Sequence, residues 1–341
     1  MKVLFIGGTG TISTAISALA VKEGMELYLL NRGTNRDFVP EGAKVITADI
    51  NDEQSVQEKI SGMHFDAVAD FIAFTPKHLE RDYRLFCGKT NQFIFISSAS
   101  AYQKPLSSPW IVESTPVANP YWEYSRNKIA CEDWLMEKYR QEGFPITIIR
   151  PSHTYGNTSV PIAVHGKNGS FSVLERIRKG KKVIVQGDGS SLWVLTHNTD
   201  FAKAFVGIIG NAHAIGETYH ITSDELLTWN QIYEIIGHAM GVKPKIVHIP
   251  SDTLSALCDD FRGALIGDKA NTVIFDNTKI KKAVPGFAAA TRFDQGVRTT
   301  LEYIYSHPEM QREDPEFDAW CDQVIEMYEK CVAQMPIYGG K

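Results

Sequence analysis

Apolar residues in the first half of the chain come in short continuous runs, separated by helix-length amphipathic stretches. The runs are Val3-Leu4-Phe5-Ile6, Leu27-Tyr28-Leu29-Leu30, Val45-Ile46-Thr47, Ala67-Val68-Ala69, Phe93-Ile94-Phe95-Ile96 and Ile146-Thr147-Ile148-Ile149. Such short runs, three or four residues long and rich in Val, Ile, Leu and Phe, suit strands buried on both faces. Their alternation with helical stretches predicts an α/β fold, a Rossmann-type doubly wound parallel sheet with helices on both sides.

After Arg150-Pro151 the rhythm loosens. Residues 157–170 are rich in Gly, Pro, His and Asn and read as a long loop. Short helices and strands then mix, punctuated by Pro244, Pro250 and Pro285. The pattern predicts a sheet domain over residues 1–157, to which about 190–222 return through the strand-like Thr218-Tyr219-His220-Ile221. Residues 158–341 are mainly a smaller C-terminal α/β domain with closing helices. Phe317, Trp320, Val324, Tyr328 and Cys331 recur every three or four residues and predict a C-terminal amphipathic helix that docks on the body.

Composition narrows the function classes. Of 341 residues, 43% are hydrophobic and 22% charged, ordinary for a globular chain, and the net charge of −5 offers no basic field for nucleic acid. Five cysteines, Cys87, Cys131, Cys258, Cys321 and Cys331, form no Cys-x-x-Cys and read as free thiols. The ten histidines never stand closer than seven apart, so no metal site is expected. Gly7, Gly8 and Gly10 interrupt what would otherwise resemble a signal peptide, and no apolar stretch is long enough for a membrane span. A cytoplasmic location is the expectation.

The first strand runs directly into Gly7-Gly8-Thr9-Gly10-Thr11-Ile12-Ser13 and then a helical pattern. Glycines there let the backbone turn tightly and approach a pyrophosphate, which the N–H groups of a helix N-terminus hold. Ser13 stands where a third glycine usually falls. This placement points to an NAD(P) cofactor, with Gly7, Gly10, Thr11 and Ile12 at its phosphates. The second strand ends in Asn31-Arg32 where an acid would accept from the ribose 2′-hydroxyl and repel a 2′-phosphate. This favours NADP slightly over NAD, although Asn31 can also bond a free ribose hydroxyl. Asp49-Ile50, ending the third strand, are candidates to flank the adenine; a helix N-cap is the other reading of Asp49.

Among thirteen tyrosines, Tyr124 alone has a lysine four positions on, Lys128, which places both on one helical face. Free tyrosine titrates near 10, and bringing such a group near 7 takes about 4 kcal/mol, which a lysine ammonium in a water-poor site can help to supply. The strand Phe93–Ile96 ends in Ser97-Ser98-Ala99-Ser100-Ala101-Tyr102 at the carboxyl edge of the sheet, where open α/β folds bind ligands. Ser98 is placed there to hydrogen-bond a reacting oxygen.

Ser98, Tyr124, Lys128 and the glycine loop together resemble the extended short-chain dehydrogenases/reductases of the NAD(P)-dependent epimerase/dehydratase type. Arg150-Pro151-Ser152-His153-Thr154-Tyr155-Gly156 is similar to that group's segment beside the nicotinamide, and Phe71-Ile72-Ala73 to its fourth-strand cofactor contacts. The resemblance covers residues 1 to about 225. It implies Tyr124 as general acid/base, Lys128 on the ribose, Ser98 orienting the substrate, and Pro151 and His153 near the cofactor. It also implies a substrate-binding role for the C-terminal domain and a homodimer paired through the helix of Tyr124.

Two departures matter. Nucleotide-sugar 4,6-dehydratases carry Asp-Glu directly after the serine or threonine, whereas this chain has Ala99-Ser100, which speaks against elimination of water. Trp193 stands where the family commonly has an arginine on the substrate diphosphate; it reads either as a ring that stacks on a sugar or as a core aromatic. Ser100, Tyr102 and Trp193 are the candidate substrate residues, and His153 or Tyr102 is a candidate second base or a pocket wall. The expected function is hydride transfer at a sugar-like carbinol or carbonyl on a small molecule, without nucleic acid, membrane or metal. The alternatives are a nucleotide-sugar epimerase proper and a non-catalytic dinucleotide-sensing or RNA-binding protein. The pattern is also similar to an atypical subset related to chloroplast stem-loop RNA-binding proteins.

Overall fold

The computed structural model describes residues 1–338; the last three residues of the C-terminal segment lie outside them. Seven parallel strands form the central sheet. In chain order they begin with β1 (Lys2–Ile6), β2 (Glu26–Asn31), β3 (Lys44–Thr47), β4 (Ala67–Asp70) and β5 (Phe93–Ile96). Ile146–Pro151 and Thr218–Ile221 complete it. Spatially, Thr218–Ile221 is followed by Ile146–Pro151, β5, β4, β1, β2 and β3. Thr218–Ile221 lies against Ile146–Pro151 in parallel, as its strand-like pattern predicts.

Side chains alternate across a strand, and both faces are apolar except at the edge, where β3 is largely exposed, Val45 by 43%, because no further strand covers it. On one face Val3 and Phe5 of β1 join Leu27, Leu29, Ile94, Phe201 and Phe205, covered by helix α1 (Ser13–Lys22) and helix Asn198–Ile208. On the other, Leu4 and Ile6 join Leu30, Val68, Phe93 and Phe95. Phe86 of helix α3 (Pro76–Phe86) and Cys131 and Leu135 of helix α4 (Glu123–Glu142) cover that face; helix α2 (Glu53–Lys59) contributes Val56. The order of strands reverses beside β1, with β2 on one side and β4 on the other. Such a switch point leaves a crevice at the carboxyl ends.

The chain divides into two compact units. The first comprises Met1–Gly156, Val194–Leu226 and Val273–Arg292. The last stretch returns late because Ile274–Phe275 pairs with Trp110–Ile111, while Ile280 and Phe287 enter the apolar layer. A strand of two residues is too short to leave a period in the sequence.

The second unit holds Asn157–Trp193, Leu227–Thr272 and the chain from Phe293. Within it Lys182–Gln186 pairs with Lys245–Ile249, and helix Trp229–Ala239 begins in a Thr228/Gln231 capping box. The C-terminal helix runs Pro315–Ala333. Its buried stripe is Phe317, Cys321 and Ile325, with Val324 and Tyr328 half-buried and Cys331 exposed. Arg176 fixes the start of that helix through Asp318 and Asp322, each at 2.6 Å. Among the described residues, no helix is long and apolar enough to cross a membrane.

A buried ion pair pins α4 to the strand Ile146–Pro151. Arg150 donates to Glu132 at 2.9 Å, and both side chains are less than a tenth exposed. Ser97 donates to the same carboxylate. Removing one partner strands a charge in a dry interior, whereas replacing both by apolar groups does not. Glu132→Ala is therefore expected to lower the urea-unfolding free energy by about 3–5 kcal/mol, and the double variant Glu132→Leu/Arg150→Met to recover most of it. An unchanged midpoint in Glu132→Ala would remove the pair from the stability of the sheet.

Candidate active site

The glycine loop owes its path to three local constraints. Gly7 and Gly8 have φ of +97° and +91°, a region that L side chains avoid, and a Cβ on Gly8 would lie 2.6 Å from Leu29. Ser17 donates to the Gly8 carbonyl at 2.8 Å, and Ser13 accepts from the Gly10 N–H at 2.9 Å. Asn198, which no sequence signal marks, donates to the Thr11 carbonyl at 2.8 Å. The first turn of α1 carries no acidic residue, so its N-terminus keeps its attraction for an anion.

A cavity of about 640 Å³ opens beside this loop. Of the residues singled out by sequence, Gly7, Gly10, Thr11, Ile12, Asn31, Arg32, Asp49, Ile50, Phe71, Ile72, Tyr124, Lys128 and Pro151 line it. Asn31 turns its Oδ1 back to the Gly33 N–H at 2.9 Å, and Arg32 is exposed. Asp49 accepts from the Asn51 N–H at 2.9 Å, while Asp52 caps α2, so the N-cap belongs to Asp52 and Asp49 faces the cavity.

Phe74 also lines the cavity, and sequence reasoning stopped one residue short of it. Its ring is 45% exposed and its centroid lies 6.3 Å from that of Tyr124; Trp122 approaches the same tyrosine at 4.9 Å. The available signal was an aromatic residue between the end of a strand and Pro76.

Lys128 is the most constrained polar group here. Its Nζ donates to the carbonyls of Ala73 and Ile96, each at 2.7 Å, and stands 4.6 Å from the Phe74 centroid and 5.7 Å from that of Tyr124. Ala73 thus meets the site through its carbonyl. The turn carrying Ala73 is held by Asp70, whose Oδ1 accepts from the Ile72 and Ala73 N–H groups. Arg81 backs this turn, 3.6 Å from Asp70 and 2.7 Å from Asp82, and donates to Asn51 at 2.8 Å. Burial, and then the Asp70 carboxylate, push the Asp82 carboxyl well above the usual range.

The remaining predicted residues stand apart from the cavity lining. Ser98 is half-buried and bonds Ser100 at 2.9 Å. His153 sits in the short strand His153–Tyr155, paired with Leu195. Tyr102 is fully buried, its hydroxyl 3.0 Å from His220 Nδ1, and burial raises its pKa. Trp193 is 2% exposed, and its indole stacks on Trp229 in the second unit, so that face is occupied by packing. Among the described residues, no cluster of His, Cys, Asp or Glu has the makings of a metal site.

The donor set suits a dinucleotide: a glycine turn in which Gly8 has no room for a Cβ, an unopposed helix N-terminus, and a lysine beside a tyrosine at the far end. Burial lowers the Lys128 pKa from 10.5 to about 8, leaving it cationic at neutral pH. The folded value lies below the unfolded one, so between them the unfolded chain binds more protons and stability rises with pH. Relative to Lys128→Met, the wild-type chain is expected to gain up to about 3 kcal/mol between pH 8 and 10.5. Urea titrations of both chains across that window check this; a flat difference would contradict it.

The sequence model of the NAD dependent epimerase/dehydratase family matches residues 3–222. The chain is 28% identical over 261 residues to chloroplast stem-loop binding protein of 41 kDa b of Arabidopsis thaliana. That alignment covers 72% of this chain and 65% of the relative, just under two thirds of its length. It is 22% identical over 260 residues to 2′-dehydrokanamycin reductase of Streptomyces kanamyceticus, covering 76% and 72%. Among solved structures, UDP-glucose 4-epimerase of Thermus thermophilus in complex with NAD superposes with TM-score 0.69 at 21% identity, covering 90% of this chain and 99% of that one. For dTDP-glucose 4,6-dehydratase of Bacillus anthracis in complex with NAD the values are 0.71, 18%, 91% and 98%. At those identities the structures speak for the fold alone. The family match covers well over half of the chain: this protein belongs to the NAD dependent epimerase/dehydratase family.

Proposed function

We propose that this chain is an NAD(P)-dependent oxidoreductase or epimerase that moves hydride at a sugar-like carbinol or carbonyl, with Tyr124 as general acid/base. The observation that carries this reading is the convergence of Tyr124 and Lys128 on the cavity that begins at Gly7–Gly10. Gly7, Gly10, Thr11 and Ile12 hold the pyrophosphate, Asn31, Arg32, Asp49 and Ile50 the adenosine end, and Phe71, Ile72, Pro151 and Lys128 the nicotinamide riboside. A nicotinamide bound there supplies the hydride acceptor in oxidation and the hydride donor in reduction.

Tyr124 takes the hydroxyl proton as hydride leaves the carbinol carbon, and returns it when a carbonyl is reduced. Lys128, cationic below about pH 8, favours the phenolate through its charge. Ser98 bonds the reacting oxygen. Ala99 and Ser100 offer no acid to expel water, so simple redox or epimerisation is favoured over dehydration. The relative named 2′-dehydrokanamycin reductase supports a carbonyl on an amino sugar as one substrate class, and the epimerases support nucleotide sugars as the other.

The test offers a panel of UDP-glucose and UDP-glucuronate with NAD or NADP, and of keto aminoglycosides with NADH or NADPH. Net redox is read by nicotinamide absorbance, and epimerisation, which regenerates the nicotinamide in each turnover, by chromatography of the product. Turnover of at least one compound is expected, and Tyr124→Phe is expected to lower kcat by about 10²–10⁴. Retained activity in Tyr124→Phe removes the tyrosine from proton transfer.

Preference for NADP rests on Asn31 and Arg32. Asn31→Asp places a carboxylate where a 2′-phosphate would lie, and like charges repel. The variant is expected to bind NADPH about tenfold more weakly, about 1.4 kcal/mol, with NADH binding little changed. Fluorescence titration of both dinucleotides reads this directly; equal weakening of the two argues against discrimination at this position.

A second reading draws on the relative named for stem-loop binding. It predicts no turnover of the panel together with RNA retention at physiological salt. The net charge of −5 weighs against it.

A further inference from the structure

Three serines form a continuous hydroxyl chain inside the first unit. Ser98 ends the extended chain after β5 and caps the turn Ala99–Ala101, its Oγ accepting from the Ser100 N–H at 3.2 Å. The same Oγ lies 2.9 Å from Ser100 Oγ. Ser125, on the first turn of α4 and next to Tyr124, donates its hydroxyl to Ser100 Oγ at 2.7 Å. Asn119 donates to the Ser100 carbonyl at 2.7 Å and fixes the turn from the other side. Ser125 is 0% and Ser100 3% exposed, so water does not compete for these bonds, whereas Ser98 is half-buried with an open side.

A serine hydroxyl has one proton and two lone pairs. Ser100 Oγ receives the Ser125 proton, so its own proton has Ser98 Oγ as the acceptor within bonding distance. Ser98 then accepts from both the Ser100 hydroxyl and the Ser100 N–H. Both of its lone pairs are engaged, and its proton is left to point outward. Each donor along a chain also polarises the next, which strengthens the terminal one.

We propose that Ser125 and Ser100 are positioning residues that commit Ser98 to donating a hydrogen bond, so that the site prefers a carbonyl or alkoxide oxygen over a neutral alcohol. A group that only donates stabilises charge developing on oxygen and offers nothing to a hydroxyl proton. The substrate class that fits is a ketone awaiting reduction, or the keto intermediate of an epimerisation. This rests on the proposed role of Ser98 at the reacting oxygen, but the order of the hydroxyls does not.

Neutron diffraction from deuterium-exchanged crystals of the full chain reads that order without any substrate. The expected map has the Ser100 deuteron on the line to Ser98 and the Ser98 deuteron off it, turned outward. A Ser98 deuteron lying between Ser98 and Ser100 overturns the proposal. On the compound turned over in the substrate panel, Ser125→Ala is expected to lose roughly tenfold in kcat with KM nearly unchanged, below the 10²–10³ of a deleted oxyanion donor. Ser125→Thr is expected to restore most of it. Ser98→Ala/Ser125→Ala is expected to be no slower than Ser98→Ala, because Ser125 acts only through Ser98. Wild-type kcat in Ser125→Ala, or additive losses in the double variant, overturns the proposal. Full activity in Tyr124→Phe would remove the proton-transfer reading alone, and if no compound is turned over the neutron map decides by itself.

Discussion

The site depends on an ammonium group held in a place with little water. Lys128 is 2% exposed, and taking such a charge out of solvent costs several kcal/mol unless dipoles replace the lost hydration. The replacements are the carbonyls of Ala73 and Ile96, just past β4 and at the end of β5, with the faces of Phe74 and Phe95 around them. Both carbonyls become available only because these strands end side by side in parallel register, Asp70 opposite Phe95. The lysine therefore ties helix α4 to the carboxyl edge of the sheet. It thereby sets where Tyr124, one helical turn earlier, meets the cavity.

Behind the lysine lies a second tier of buried polar groups whose work is positional. Asp70 shapes the turn that presents the Ala73 carbonyl, and Arg81 braces Asp70 while reaching Asn51 in the cavity lining. Ser97, Glu132 and Arg150 lock α4 against the adjoining strands. Such networks are costly when half-satisfied, so they hold one arrangement and reject near alternatives. The aromatic rings of Phe74 and Trp122 then restrict what can approach Tyr124.

Much of this was legible because periodicity and local turn chemistry are written in consecutive residues. Six of the seven strands follow apolar runs and the seventh a β-prone Thr-Tyr-His-Ile, and the glycine loop announces itself by spacing. Helical geometry alone puts Tyr124 and Lys128 on one face. What was not legible depends on partners remote in sequence. Asn198 reaches the Thr11 carbonyl across 187 positions, and the late stretch Val273–Arg292 joins the first unit through a two-residue strand. The C-terminal helix shows the same limit on a smaller scale. Its register of burial follows Phe317, Cys321 and Ile325, a spacing of four that the broader apolar pattern blurs.

Substrate identity resists sequence for a related reason: it turns on which polar atoms are already spoken for. Tyr102 has the chemistry of a base, yet its hydroxyl is engaged with His220 in a fully buried setting that disfavours the phenolate. Trp193 has the chemistry of a sugar platform, yet one face rests on Trp229. Ser100 looks like a substrate contact, yet its hydroxyl, N–H and carbonyl are taken by Ser125, Ser98 and Asn119. Once those commitments are made, Tyr124 and Lys128 remain on the cavity wall, and Ser98 keeps a half-buried hydroxyl beside Ser100. On the proposed reading, that set serves an oxygen that gains or sheds one proton while its carbon gains or sheds hydride, and Ala99 and Ser100 supply no acid for breaking the C–O bond.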